Sequence, residues 1–250
     1  TTPGTFNLLV NNGEGVTINW TGAANTDWFN PNNWSLCAIP DRTINVNIPT
    51  ADNQPTVGTA TGVAKDLYVM AGATLTIPAT GTVSAWGDYT MLGTLSNNGT
   101  LRVRGNATGT GVISGTNRLI LEGTGTQTLG LTSSANTNWI DTLVVNKASG
   151  AVNCNTSLYV RNMNVSASNT VTLPSAAGIF LGGTLTNAGS IATSGRLTIV
   201  NPSVINNTGN VTVGVTNINS AVQLNGAFTT GQINQNAAVT GTSSVTGTVV

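Results

Sequence analysis

Residues 66–105 read "DLYVMAGATLTIPATGTVSAWGDYTMLGTLSNNGTLRVRG". Within them "LYVM" (67–70), "TLTI" (74–77), "TVSAW" (82–86), "GTLSN" (93–97) and "TLRVRG" (100–105) each alternate apolar with polar or small residues. A half-buried strand requires that period of two, because successive side chains point to opposite faces. Gly, Asn, Ser or Pro bounds each run, and these residues make turns. Sustained 3.6-residue periodicity is absent, and the dominant Gly, Thr, Asn and β-branched residues are poor helix formers.

The pattern continues in "GVISG" (111–115), "RLILEG" (118–123), "TLVVN" (142–146), "SLYVR" (157–161), "TVTLP" (170–174), "GIFLGG" (178–183), "RLTIV" (196–200) and "NVTVG" (210–214). One longer gap covers 124–141. "GTLTN" (183–187) echoes "GTLSN" (93–97), and "LTNAG" (185–189) echoes "LSNNG" (95–99). Imperfect self-similarity of this kind marks a repeat architecture.

Two all-β folds satisfy these runs. A β-sandwich joins antiparallel strands through hairpins. A parallel β-helix, or β-solenoid, stacks coils of three short strands, each coil about 20–25 residues long. Charge favours the solenoid. Eight basic and eight acidic side chains cancel, and charged residues are only 6% of the 250, against roughly 25% in ordinary domains. Stacked coils place like residues over one another about 4.8 Å apart. Columns of like charge would repel there, whereas Thr, Ser and Asn can hydrogen-bond. The expected fold is therefore a parallel β-helix, with one or two sandwiches as the alternative.

Residues 1–65 differ from the rest. They hold Trp20, Trp28, Phe29 and Trp34, together with Pro31, Pro40, Pro49 and Pro55. Terminal repeats of a solenoid are atypical and act as caps, and each large aromatic buries about 150–250 Å². The chain therefore divides into an N-terminal strand with a Trp/Pro-rich cap (1–65) and solenoid repeats (66–250). Exposed tryptophans also stack on sugars, so Trp20, Trp28 and Trp34 are candidates for a cap or for glycan contact. Their indole N–H groups are expected to pair with loop carbonyls. Trp86 and Trp139 are isolated, and burial is expected for both. The tail "SSVTGTVV" (243–250) still reads as strand, without an aromatic or charged lid, and predicts an uncapped end. The apolar segment "TFNLLVNN" (5–12) is a candidate to complement it in a second molecule.

Catalytic residue types are sparse. The chain contains no His, which excludes Ser-His-Asp and Cys-His catalysis and His-ligated zinc. Glu14, Glu122 and six aspartates are scattered and form no evident facing pair of the kind glycosidases use. Arg102 and Arg104 share one strand face and are expected to be solvated, without a carboxylate partner. Calcium could be held only by the cap, through Asp27, Asp41 or Asp52; no cofactor or catalytic residue is expected. Cys154 shares strand parity with Val152 and should point inward as a small buried residue. A bridge from Cys37 to Cys154 would need the two Cα atoms within about 7 Å.

No basic patch favours nucleic acid, and no apolar run approaches the roughly 18 residues of a membrane span. The opening "TTPGTFNLLV" fits a processed, mature chain. The Thr- and Asn-rich composition suits an extracellular or cell-surface setting. The Thr-x-Thr triplets at 74–76, 170–172 and 184–186 are too irregularly spaced for one flat ice-binding face.

The stretch "WTGAANTDWFNPNNWSLCAIPDRTINVNIPTADNQPTV" (20–57) resembles the W-x-G…D-W-x-x-x-x-N-W…P…V-x-I-P…P entry segment of large secreted and cell-surface proteins of Bacteroidetes-type bacteria. Residues 66–105 and "GTGTQTLGLTSSANTNWIDTLVVNKASGAVNCNTSLYVRNMNV" (123–165) resemble the strand repeats of the same proteins. The resemblance covers roughly residues 16–200. It implies a β-helical stalk or adhesive passenger, often exported by the type IX route. No stretch here matches the separate C-terminal sorting domain that many of those proteins carry. The expected function is a non-enzymatic structural or adhesive surface protein, associating end to end and contacting surface glycans. A carbohydrate-binding or polysaccharide-cleaving β-helix is the alternative.

Overall fold

A computed structural model describes residues 15–133 and 138–249. It is a parallel β-solenoid of about ten turns. Three sheets run its length. The first contains Thr17–Asn19, Asn45–Ile48, Leu67–Val69, Tyr89–Met91, Ala107–Gly109, Gln127–Leu131, Ala151–Cys154 and Thr170–Leu173. The second begins with Thr74–Ile77, Thr94–Asn97 and Val112–Ser114. The third begins with Thr61–Ala64, Thr82–Ala85, Thr100–Val103 and Arg118–Leu121. Later strands such as Leu158–Val165 and Ser190–Ile199 turn a corner and serve two sheets.

One inward column of the third sheet shows the winding. Gly62, Val83, Leu101, Leu119, Leu143, Met163, Leu185, Ile205, Leu224 and Gly241 lie one above another. Every step is parallel. It takes from 17 residues (Leu224 to Gly241) to 24 (Leu119 to Leu143). Parallel neighbours cannot be joined by tight hairpins, so the sandwich alternative fails. Five of the nine steps fall within the expected 20–25 residues and the other four take 17–19; the longest, from Leu119 to Leu143, contains the connection 132–139.

The repeated "LSNNG" and "LTNAG" are corners. Thr94–Asn97 ends in the second sheet and Thr184–Asn187 in the third, so the template marks a bend and not a fixed side. The Asn turns inward in both. Asn97 Oδ1 accepts from Gly99 N at 2.8 Å. Asn187 Nδ2 donates to Asn207 Oδ1 at 2.7 Å, and Asn207 bonds onward to Gly209 O and Ala227 O. Buried amides thus satisfy the corner groups that the sheet ladders leave over. A Cβ at Gly99 would overlap the carbonyl oxygens of Gly81 and Pro78 in the coil below.

Acidic and amide side chains also tie successive coils. Asp66 Oδ1 accepts from Asp88 N at 2.8 Å, Asp88 Oδ1 from Asn106 N at 2.7 Å, and Asn106 Oδ1 from Thr128 N at 2.8 Å. On the outer faces Asn47 bonds Asn19, Thr172 bonds Asn153, Asn225 bonds Asn206 and Asn234 bonds Asn217. This is the polar stacking that the low charge content anticipates. The first sheet starts at Thr17–Asn19, and Val46 pairs with Leu67. The stack therefore begins within 1–65, and the boundary at 65 falls inside a sheet. Among the described residues no helix is long and apolar enough to cross a membrane.

Candidate functional site

The three clustered tryptophans are buried, with exposures of 1%, 0% and 1% for Trp20, Trp28 and Trp34. Trp34 stands edge-on to both others, with centroids 4.9 Å apart in each pair. Trp28 lies against Gly62, where a Cβ would come 3.2 Å from its ring. The indole fills the space that the first residue of the third-sheet column leaves open. None of the three presents a ring face to solvent, so a sugar has no surface there on which to stack. Trp20 Nε1 donates to Asn53 O at 2.6 Å and Trp34 Nε1 to Trp28 O at 2.8 Å. Trp28 Nε1 is the exception to the expected pairing, buried without an acceptor.

The aspartates of this region serve turns. Asp27 Oδ1 accepts from Phe29 N, and Asp41 Oδ1 accepts from both Thr43 N and Thr43 Oγ1. The hydroxyl bond, then the backbone bond, holds the Asp41 carboxyl below its ordinary range. Asp27, Asp41 and Asp52 do not converge, and among the described residues no three Cys, Asp or Glu side chains gather as a metal site.

Two expectations about charge and aromatics are corrected. Arg102 and Arg104 do have a carboxylate partner: Glu122 takes Arg102 Nη1 at 3.1 Å and Arg104 Nε at 3.2 Å. Val103 lies over Leu121 in the next coil, which sets Glu122 beside Arg104. The sequence separation of about one coil hid the pairing. Trp86 is not buried; it is 41% exposed, with the Arg104 guanidinium 3.4 Å and that of Arg42 5.4 Å from its ring centroid. Trp139 is half-buried and starts an outward column. It meets Tyr159 edge-on at 5.7 Å, and Tyr159 stacks on Phe180 at 4.2 Å with ring planes 2° apart. Arg161 faces Trp139 and pairs with Asp141 at 2.9 Å. Tyr159 and Phe180 cover one face of each other, whereas Trp139 stands across Tyr159.

Both thiols are free, Cys37 exposed and Cys154 buried. Burial pushes the Cys154 thiol up to about 12. Lys147, which the sequence does not flag, is buried at an inner corner. Its Nζ donates to Gln127 Oε1 at 2.6 Å, and desolvation lowers its pKa.

Among the described residues the third-sheet column runs as far as Gly241, which brings no side chain inward. An apolar cavity of about 240 Å³ lies there, lined by Leu224, Phe228, Ile233, Val239 and Val245 among others. Val239 and Val245 are 36% and 37% exposed. Among the described residues Val239–Thr242 pairs only with Val222–Asn225, and Val245–Val249 only with Phe228–Gln235. The segment 5–12 lies outside the described residues.

Comparison with known proteins adds one match. A family model described as a domain of unknown function (DUF8693) matches residues 19–117. That stretch holds the tryptophan plug and the coils up to Val112–Ser114. No curated protein and no solved structure matches the chain.

Proposed function

We propose that this chain is a non-enzymatic structural and adhesive element of an extracellular or cell-surface assembly, joined end to end through its last described coil. The carrying observation is the apolar cavity at the last described coil, lined by Leu224, Phe228, Val239 and Val245 among others, beneath strands whose outer edges have no partner among the described residues. Unpaired strand edges are templates for further strands. A second molecule supplies the next coil in this reading, and a head-to-tail contact that does not close gives a filament.

The placement of the polar groups supports a mechanical role. Asp66 and Asp88 hold the next coil, while Glu122 and Asp141 are engaged by arginines. Asp66 and Asp88 line one shallow groove with Asn45, Asn47 and Tyr68, and in each an oxygen is already held by a backbone N–H of the next coil. Pulling along the axis loads many parallel ladders at once. Sedimentation velocity over a concentration series tests the reading. Mass that grows with concentration, and falls back to monomer in Val239→Lys/Val245→Lys, is expected. A single monomeric species at every concentration would remove the end-to-end contact.

A further inference from the structure

Arg196 is the only Asp, Glu, Lys or Arg after Arg161 in the sequence. It lies just past the register shift that divides Ser190–Ile199, and Gly178 is paired directly below it. A Cβ at Gly178 would collide with the Arg196 stem. The missing side chain lets the stem lie flat on the sheet and leaves the guanidinium exposed at the corner. None of the ion pairs among the described residues involves it.

Arg196 lines a groove of about 340 Å³ with Ser175, Ser194, Asn217, Gln232 and Asn234. The amides are oriented by one another. Gln232 Nε2 donates to Asn234 Oδ1 at 2.6 Å, Asn234 Nδ2 to Asn217 Oδ1 at 2.8 Å, and Asn217 Nδ2 to Thr198 Oγ1 at 3.3 Å. The chain of bonds fixes the amide planes and leaves each amide one further N–H and remaining acceptor capacity for a ligand. With Arg196 the groove offers both donors and acceptors and one positive charge outside every ion pair among the described residues. Thr198 sits above Phe180, so the same column continues downward as the ring edges of Phe180 and Tyr159.

We propose that this groove binds an acidic polysaccharide, with Arg196 engaging a carboxylate or sulfate and the amide row engaging hydroxyls along the solenoid axis. Charge complementarity selects an anion, and guanidinium matches carboxylate and sulfate oxygens with paired N–H groups. One cation is too few for nucleic acid, whose affinity is built from many phosphate contacts. An acidic peptide brings carboxylates but no row of hydroxyls with which the amide side chains can exchange donor and acceptor bonds. A sugar chain brings hydroxyl, ring and carboxylate oxygens. The proposal gives the adhesive reading a ligand class, and it stands independently of end-to-end assembly.

The test is calorimetric titration of the whole chain with polygalacturonate, chondroitin sulfate, neutral galactan and polyglutamate, repeated with Arg196→Gln and Gln232→Ala. Because both side chains lie at the surface, an unchanged melting temperature will show that the variants fold. Binding to at least one acidic polysaccharide is expected. Arg196→Gln should weaken it about tenfold or more, the loss of one charged hydrogen-bonded contact. Raised salt should weaken it too, and Gln232→Ala to a lesser degree. Equal binding of neutral galactan or polyglutamate, undiminished binding by Arg196→Gln, or no binding of either acidic polysaccharide would overturn the proposal. Sedimentation of the same samples reports assembly separately, so failure of the groove and failure of the end contact are told apart.

Discussion

Replacing Gly99 by Ala tests how closely the coils approach. The new methyl would overlap Gly81 O and Pro78 O and press on Ile77 Cγ2. Neither oxygen can retreat freely. Pro78 O accepts from Gly81 N at 2.8 Å, and Gly81 O accepts from Thr100 N at 3.1 Å. Overpacking costs about 1–3 kcal/mol, and a lost hydrogen bond adds about 1. The expected loss is about 2–4 kcal/mol. At about 2–4 °C per kcal/mol for a chain of this size, the melting temperature falls by about 4–16 °C. Gly58→Ala is the control, since a Cβ at Gly58 meets nothing within 4 Å. It should be neutral or stabilising by up to about 1 kcal/mol through the unfolded state. Thermal unfolding followed by far-ultraviolet circular dichroism reads both. If Gly99→Ala melts within a degree of the parent, or Gly58→Ala loses as much, the inferred tight corner stacking is refuted.

Other consequences are smaller or more local. Tyr89 is buried with its hydroxyl unpaired, and burial raises its pKa; Tyr89→Phe should be neutral or stabilising, and a loss above about 1 kcal/mol in denaturant titration would reveal a hidden hydrogen bond. Glu122→Gln should cost about 1 kcal/mol, because its arginine partners are 43% and 30% exposed and solvent screens the pairs, and the difference should shrink in high salt. For Lys147 the folded pKa lies below the ordinary 10.5, so the unfolded chain binds the extra proton between those values. Stability from this group therefore rises as pH increases toward 10.5, and Lys147→Met should remove that slope; identical pH profiles would contradict it. Cys37 should react with maleimide in the folded protein and Cys154 only after unfolding, as mass spectrometry can score.

The strands were legible because each carries its own alternation, and the winding because low charge and even spacing suit stacking. The segments Asn45–Ile48, Gln127–Leu131 and Val222–Asn225 were harder to see. Gln127 points inward to bond Val103 O and Gly105 O, which breaks the apolar parity of its strand. Partners one coil away were invisible to a linear reading. Glu122 answers Arg102 and Arg104 across about twenty residues, and Tyr159 meets Phe180 across a similar distance. The exposure of Trp86 follows the parity of its own strand, in which Val83 and Ala85 take the inward positions; only the arginines that flank it come from other coils. The tryptophan cluster was prominent by composition, yet it plugs the core. The groove at Arg196 has no local motif; only the emptiness of charge around it marks the position.

Electron microscopy of the intact protein, imaged over a range of concentrations, tests the end-to-end account most directly. About ten turns at about 4.8 Å each make the described stack about 50 Å long. Filaments with a regular axial repeat, lost in Val239→Lys/Val245→Lys, are the predicted result. Separate rods at every concentration would contradict it.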